Sequence, residues 1–238
     1  MATLGLDVPS DDELDGPTRV FKVTVVGDGS VGKTSICTRF AREYFLDSYK
    51  QTVGLDFFTR TLQLDDGERI TFHLYDIGGQ SIGSRMLGTY IAGSHALIFV
   101  YDLTNHDSLE DILEWYKTLK ALGCTEGAVI YLVGNKTDLT TLRAVRAARG
   151  SAIAEAITAQ AHYLVSAQTG DRIGVLFISL AGLLCGVDVS SLALDQRDIS
   201  KVVLPERPSG QPEDLSSTDT TQADKAAKRV KGGRCVII

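Results

Sequence analysis

A doubly wound α/β domain is the fold this sequence predicts, on a mostly parallel six-stranded sheet with one antiparallel edge strand. Three observations point to it. Short apolar runs rich in Val, Ile and Leu alternate with amphipathic stretches, the pattern of parallel strands covered by helices on both faces. The second and third runs have period two and are joined by an Asp-Gly turn, which makes that one pair an antiparallel hairpin. The first run passes through a glycine-rich turn straight into a helical pattern.

The elements follow in chain order. Residues 1–18, "MATLGLDVPSDDELDGPT", are acidic and rich in Asp, Gly and Pro, and read as a disordered arm. "VFKVTVVG" (20–27) is a buried strand ending in glycine. "KTSICTRFAREYF" (33–45) places Ile36, Phe40 and Tyr44 at helical spacing. Strands over 56–64 and 69–75 flank the turn in "LQLDDGERI". Then come "HALIFVYDL" (strand), "SLEDILEWYKTLKAL" (helix), "AVIYLVGN" (strand), a helix near 143–160, "AHYLVSA" (strand) and "GVLFISLAGLLC" (helix). One domain over 19–187 accounts for all of them. From 188 to 238 the hydrophobic periodicity stops, and the Pro/Ser/Thr-rich, then basic, composition predicts a flexible tail.

Composition removes several classes of function. The chain has 238 residues, 44% hydrophobic and 23% charged, which is ordinary for a globular protein. A net charge of −6 argues against a general nucleic-acid binder. No apolar run approaches the ~18 residues of a membrane-spanning helix. The N-terminus lacks a secretory signal, and Ala2 stands where myristoylation needs glycine. The four cysteines have no zinc-like or disulfide-like spacing.

"GDGSVGKT" (27–34) fits G-x-x-x-x-G-K-[ST] between a strand and a helix. Its glycines let backbone N–H groups turn onto phosphate oxygens, the helix N-terminus adds partial positive charge, Lys33 reaches the terminal phosphates and Thr34 ligates magnesium. "VGNKTD" (133–138) selects the base: the Asp138 carboxylate accepts from N1–H and the 2-amino group of guanine, which adenine lacks. Asn135 bridges to the 6-keto edge, Lys136 packs along the base, and "VSAQTG" (165–170) offers the Ala167 N–H to the same oxygen. Asp76, in "LYDIGGQ", ends a strand expected beside the phosphate-loop strand, where its carboxylate holds a magnesium-bound water. Gly79 brings an N–H towards a γ-phosphate, Gln80 orients the attacking water, and Thr52 completes the magnesium shell when that phosphate is present.

With these motifs in hand, the chain resembles the Ras superfamily of small GTPases over about 20–187, which implies a P-loop GTPase fold. "TVGLDFF" resembles the first switch of the Rab family. "DIGGQSIG" with "GLDFF" resembles its divergent, single-cysteine subfamily numbered twenty-eight. The resemblance implies that Gly29, Ser30, Val31, Gly32, Ser35, Ser166 and Gln168 join the residues above around GTP or GDP, with Phe45 at the guanine edge and Tyr49 over the phosphates. It implies slow hydrolysis with Gln80 and Lys33 as the catalytic pair, and magnesium held by Thr34, Thr52 and Asp76. It also implies effectors bound through 46–56 and 77–92, a separate exchange factor, a GTPase-activating protein that supplies an arginine, and a monomer in vesicle trafficking.

Departures from the family pattern are local. Gly78 and Ser81 replace the usual second-switch residues, and Gln168 replaces a lysine that stacks on the base, which implies weaker affinity. Gly78 and Gly83 would loosen 77–84; if they carry Gln80 away from the water, the alternative is a GTP-held scaffold that scarcely hydrolyses. "CVII" matches C-a-a-X after five basic residues (Lys225, Lys228, Arg229, Lys231, Arg234), so Cys235 is expected to be prenylated and to reach membranes with help from that cluster. The expected location is the cytosolic face of endomembranes, endosomal or Golgi, with a ciliary or flagellar base as the other option.

Overall fold

A buried central strand organises the sheet. β1 (Thr18–Val26) starts half-exposed, and its last four residues, Val23–Val26, are fully buried between layers of helix. A computed structural model describes residues 18–45, 50–64, 69–186 and 201–202 of the chain. β1 begins inside the stretch assigned to the N-terminal arm, because Thr18 pairs with Arg69 of a neighbouring parallel strand.

The remaining elements are α1 (Lys33–Arg42), β2 (Leu55–Leu64), β3 (Arg69–Ile77), α2 (Leu87–Ile91), β4 (Ala96–Asp102), α3 (His106–Glu110), α4 (Ile112–Ala121), β5 (Val129–Asn135), α5 (Ala147–Ala156), β6 (Ala161–Leu164), α6 (Ile173–Cys185) and β7 (Lys201–Val202). The sheet order is β6-β5-β4-β1-β3-β2-β7, with β2 antiparallel to β3 and every other pairing parallel. The six expected strands are all present. The seventh, two residues long, lies in the stretch read as tail and pairs with Gln63 and Leu64 of β2. Such pairing uses main-chain groups alone, so no hydrophobic periodicity announces it.

Alternation along β4 sorts the two cores. Ala96, Ile98 and Val100 face the layer formed by α1 and α6, while Leu97, Phe99 and Tyr101 face that of α2 to α5. Between α1 and α6, Phe40 stacks on Phe177 with ring centroids 3.7 Å apart. Helix α1 stops short of 45 because Glu43 takes a left-handed φ of 64° and donates its N–H to Arg39 O. The helix expected over 108–122 is interrupted for one residue at Asp111, and Asn105 caps its first part by accepting from Asp107 N–H.

One polar pair crosses the second core. Tyr101 Oη lies 2.9 Å from His162 Nε2, both buried, with Gly134 of β5 and Gly150 of α5 making the room. A Cβ at Gly134 would stand 2.6 Å from Tyr101 Oη. Burial pushes the His162 imidazole down to about 4. That is below its unfolded value of about 6.5, so the stability tied to this group is complete above about pH 6.5 and is lost as pH falls towards 4. Tyr101→Phe strands the buried ring nitrogen and should cost about 1–3 kcal/mol in urea unfolding. In NMR titrations the His162 ring signals should move well below the ordinary histidine pKa of about 6.5.

Candidate functional site

The parallel strands present their C-terminal ends on one side of the sheet, and the chain turns from β1 into α1 between the paths of β3 and β4. Open α/β sheets bind ligands at such a reversal of strand order. A cleft of about 540 Å³ lies there, within the usual size for a ligand pocket.

Its floor is the turn 27–32. Ser30 holds a left-handed φ of 62°, and Gly32, with φ 95°, ends the turn at the start of α1. A Cβ on Gly32 would stand 2.2 Å from Asn135 Nδ2, so only glycine lets the loop carrying Asn135 close down here. Lys33 is buried, and its ammonium donates to Gly27 O (2.8 Å) and Asp28 O (2.6 Å). Burial lowers its pKa, against the pull of Asp76 and Asp28. The Asp28 carboxylate is engaged elsewhere, accepting from Trp115 Nε1 at 3.1 Å. A hydrogen bond to Asp28, helped by partial burial, pushes the Asp111 carboxyl up to about 6.

Three oxygens from separate segments meet beside Lys33. Thr34 Oγ1 donates to Asp76 Oδ2 at 2.5 Å and lies 2.9 Å from Thr52 Oγ1, which itself reaches Asp76 Oδ2 at 3.3 Å. Asp76 is fully buried, and its Oδ1 has no hydrogen-bond partner among the described residues. Burial pushes this carboxyl up to about 6, although both threonine hydroxyls and the Lys33 charge act in the opposite direction. Two hydroxyls and one carboxylate, one of whose oxygens is orphaned, form an all-oxygen donor set that suits a hard divalent cation such as magnesium.

The two loops beyond the cluster are bonded to each other. Gly78 N–H donates to Gly54 O (2.9 Å), and the buried Ser81 hydroxyl reaches the same oxygen at 3.4 Å. The segment around Gly78 is therefore tied down here, where its glycines alone suggest looseness. Gly79 comes so close to the phosphate turn that a Cβ would stand 2.2 Å from Gly29 N. Gln80, exposed on a 3₁₀ turn over Gly79–Gly83, lines the cleft.

At the other end, Lys136 takes a left-handed φ of 71° and pairs with Asp102 at 2.6 Å. Asp138 accepts from Ser166 Oγ at 2.5 Å. Asn135 braces two loops, donating to Val31 O at 2.9 Å and accepting the Ala167 N–H at 3.0 Å. That N–H is the one the sequence aims at a base carbonyl, so a base oxygen must share it with the Asn135 amide.

Of the residues singled out from sequence, Gly29, Ser30, Gly32, Lys33, Thr34, Ser35, Phe45, Thr52, Gly79, Gln80, Asn135, Lys136, Asp138, Ala167 and Gln168 line the cleft. Val31 and Ser166 are buried behind it, and Asp76 lies beneath it. Tyr49, Cys235, the basic cluster and most of the two terminal segments lie outside the described residues. The sequence reading missed Thr38, Lys50, Gln51 and Leu139 on the walls, and Asp102 behind Lys136. Asp102 carried a usable signal: like Asp76, it is an acid at the C-terminal end of an apolar strand.

The Ras family model matches residues 22–185. Over 170 residues the chain is 41% identical to the Ras-related protein Rab-28 of Caenorhabditis elegans, covering 71% of this chain and 68% of that one. The buried carboxylate yields a direct expectation. The folded pKa of Asp76 lies above its unfolded value, so its charge costs stability at neutral pH and above. Without divalent metal at pH 8, Asp76→Asn should be more stable than wild type by on the order of 1–3 kcal/mol in denaturant titrations. The variant should also lose most of the melting-temperature gain that wild type shows with magnesium and a nucleoside triphosphate.

Proposed function

The chain belongs to the Ras family of small GTPases, on its Rab branch, and from that premise we propose that it acts as a lipid-anchored guanine-nucleotide switch in membrane trafficking. Membership makes it a GTP hydrolase and a switch; the residue roles, the anchor and the slow rate are this proposal. The observation that carries the reading is the Thr34–Thr52–Asp76 cluster, in which the phosphate-loop helix, the first switch loop and the end of β3 meet at one point.

Thr34 and Thr52 would hold magnesium directly and Asp76 through a water. The ion, when bound, offsets the negative charge of the β- and γ-phosphates. Lys33 turns its ammonium from the Gly27 and Asp28 carbonyls to the terminal phosphates, whose charge counters the burial that lowers its pKa. The turn 29–35 wraps the phosphates with main-chain N–H groups, and Gly79 N–H meets the γ-phosphate. Gln80 aligns a water; its oxygen bonds to the γ-phosphorus as the bond to the β–γ bridging oxygen breaks, and GDP leaves with that electron pair. Asp138 reads the N1–H and 2-amino group of guanine, Asn135 and Ala167 read the keto side, and Phe45, Lys136 and Gln168 flank the base. No arginine lines the cleft among the described residues, which agrees with an arginine supplied by a GTPase-activating partner.

Loss of the γ-phosphate removes the reason for Thr52 and Gly79 to stay in place, so 46–56 and 77–92 form the surface that effectors sense. Exposed apolar groups in and beside these segments support this role: Val53 is 88% exposed, and Met86 and Phe57, the latter one residue past the first segment, are also exposed. Among the described residues no helix is long and apolar enough to cross a membrane, so the proposed attachment is peripheral, through prenylated Cys235 and the basic cluster. An exchange factor for nucleotide release and an endomembrane location complete the proposal.

Single-turnover GTP hydrolysis with magnesium, wild type against Gln80→Leu, tests the mechanism. Slow cleavage by wild type and a rate at least roughly tenfold lower in the variant is the expected outcome. Equal rates would leave Gln80 without a catalytic part and favour a GTP-held scaffold. In competition, GTP should displace a bound guanine nucleotide and ATP should not; displacement by both would remove Asp138 from base selection.

A further inference from the structure

Arg39 has no part in the mechanism above and does not line the cleft, yet its guanidinium is committed to main-chain oxygens of two separate segments. Nε donates to Ala167 O at 2.9 Å, Nη2 donates to Gln168 O, and Nη1 donates to Glu43 O at 3.0 Å. Its stem passes beside Gly170, where an added Cβ would be 3.7 Å from Cδ.

We propose that Arg39 is a positioning residue for base recognition, holding the 166–171 turn and the 43–45 segment in register with the helix that begins at the phosphates. The inference rests on the reading of the cleft as a guanine-nucleotide site. The 166–171 turn is closed on itself by Gly170 N–H to Ser166 O (2.8 Å), Ser166 N–H to Asp171 O (3.1 Å) and Thr169 N–H to Ser166 Oγ (3.1 Å). Those bonds set its shape and leave its location open. Location comes from two tethers on opposite sides of Ala167: Asn135 takes the N–H and Arg39 takes the carbonyl. Asn135 refers the turn to Val31 in the phosphate loop; Arg39 refers it to α1, which carries Lys33 and Thr34 at its start.

The third bond acts on the opposite wall. Glu43 turns the chain out of α1 with a left-handed φ of 64°, and its carboxylate pairs with Arg60 at 2.7 Å, while Arg60 also donates to Phe40 O at 2.9 Å. With Glu43 O held by Arg39, Phe45 follows two residues later on the cleft wall. An arginine near a helix C-terminus often does no more than cap the last carbonyls and complement the helix dipole. The Glu43 contact alone would fit that role, but Ala167 is 128 residues further along the chain. A planar guanidinium with five directed donors suits three carbonyls approaching from different sides; a lysine offers one nitrogen.

The test compares the full-length protein with Arg39→Ala and Arg39→Lys. Competition against fluorescent GDP measures the affinities for GDP, GTP and ADP, and melting curves monitor folding. In both variants the preference for GDP over ADP should fall roughly tenfold to a hundredfold through faster GDP release. The ratio of GTP to GDP affinity, which reports the phosphate end, should not change. An unchanged GDP-over-ADP preference in Arg39→Ala overturns the proposal, as does full rescue by Arg39→Lys, which would reduce the residue to a charge at the end of a helix. If Arg39→Ala fails to fold, Arg39→Lys decides on the same readout. Wild type with no preference for GDP over ADP would instead sink the reading of the cleft on which the proposal rests.

Discussion

The cleft depends on how closely the backbone of the 27–32 turn is approached by segments distant in sequence. A Cβ at Gly27 would lie 2.1 Å from Val100 O on β4, one at Gly32 would meet the Asn135 amide, and one at Gly79 would meet the main chain of the turn itself. Each missing side chain admits one neighbour: a strand, the base-side loop and the second switch. Three walls are therefore packed against one turn at main-chain distance, with little slack for its N–H groups. Preorganisation of this kind lets a small turn hold several phosphate oxygens without ordering loose chain first.

Opposite charges buried side by side are the second constraint. Desolvation acts on both partners, lowering the Lys33 pKa and raising that of Asp76, so each is pushed towards its neutral form. Their direct protein contacts are to neutral groups: carbonyls for Lys33 and threonine hydroxyls for Asp76. Phosphate oxygens are the natural counterpart of the first and a divalent cation that of the second. A site built this way would gain stability when both arrive together.

The motifs that were legible are those in which a few consecutive residues contain the whole chemical requirement. "GDGSVGKT", "NKTD" and "LYDIGGQ" each combine a strand end with the groups placed there, so reading them needed only the strand pattern and the chemistry of a nucleotide. Arg39 was not legible, because an arginine in the last turn of a helix has an adequate local explanation and its carbonyl partners lie in a turn closed from other residues. The buried Tyr101–His162 pair was hidden likewise: its room comes from glycines on β5 and α5 that meet only in the folded core. The tie between Gly78 and Gly54 was hidden too, since glycine permits a close main-chain bond as readily as it permits motion.

By itself the sequence determined the α/β class, the hairpin, the glycine-rich turn between β1 and α1, and the family. Those features follow from local periodicity and from side chains whose spacing along one segment matches one ligand. Tertiary structure alone decided that Thr34, Thr52 and Asp76 share a point, that Asn135 spends its amide bracing two loops, and that β2 is flanked by a short further strand. It also decided that Arg39 ties the 166–171 turn to Glu43 at the end of α1. Each of these is a distance between segments far apart in the chain, and such distances are set by strand order and helix packing, which no single segment encodes.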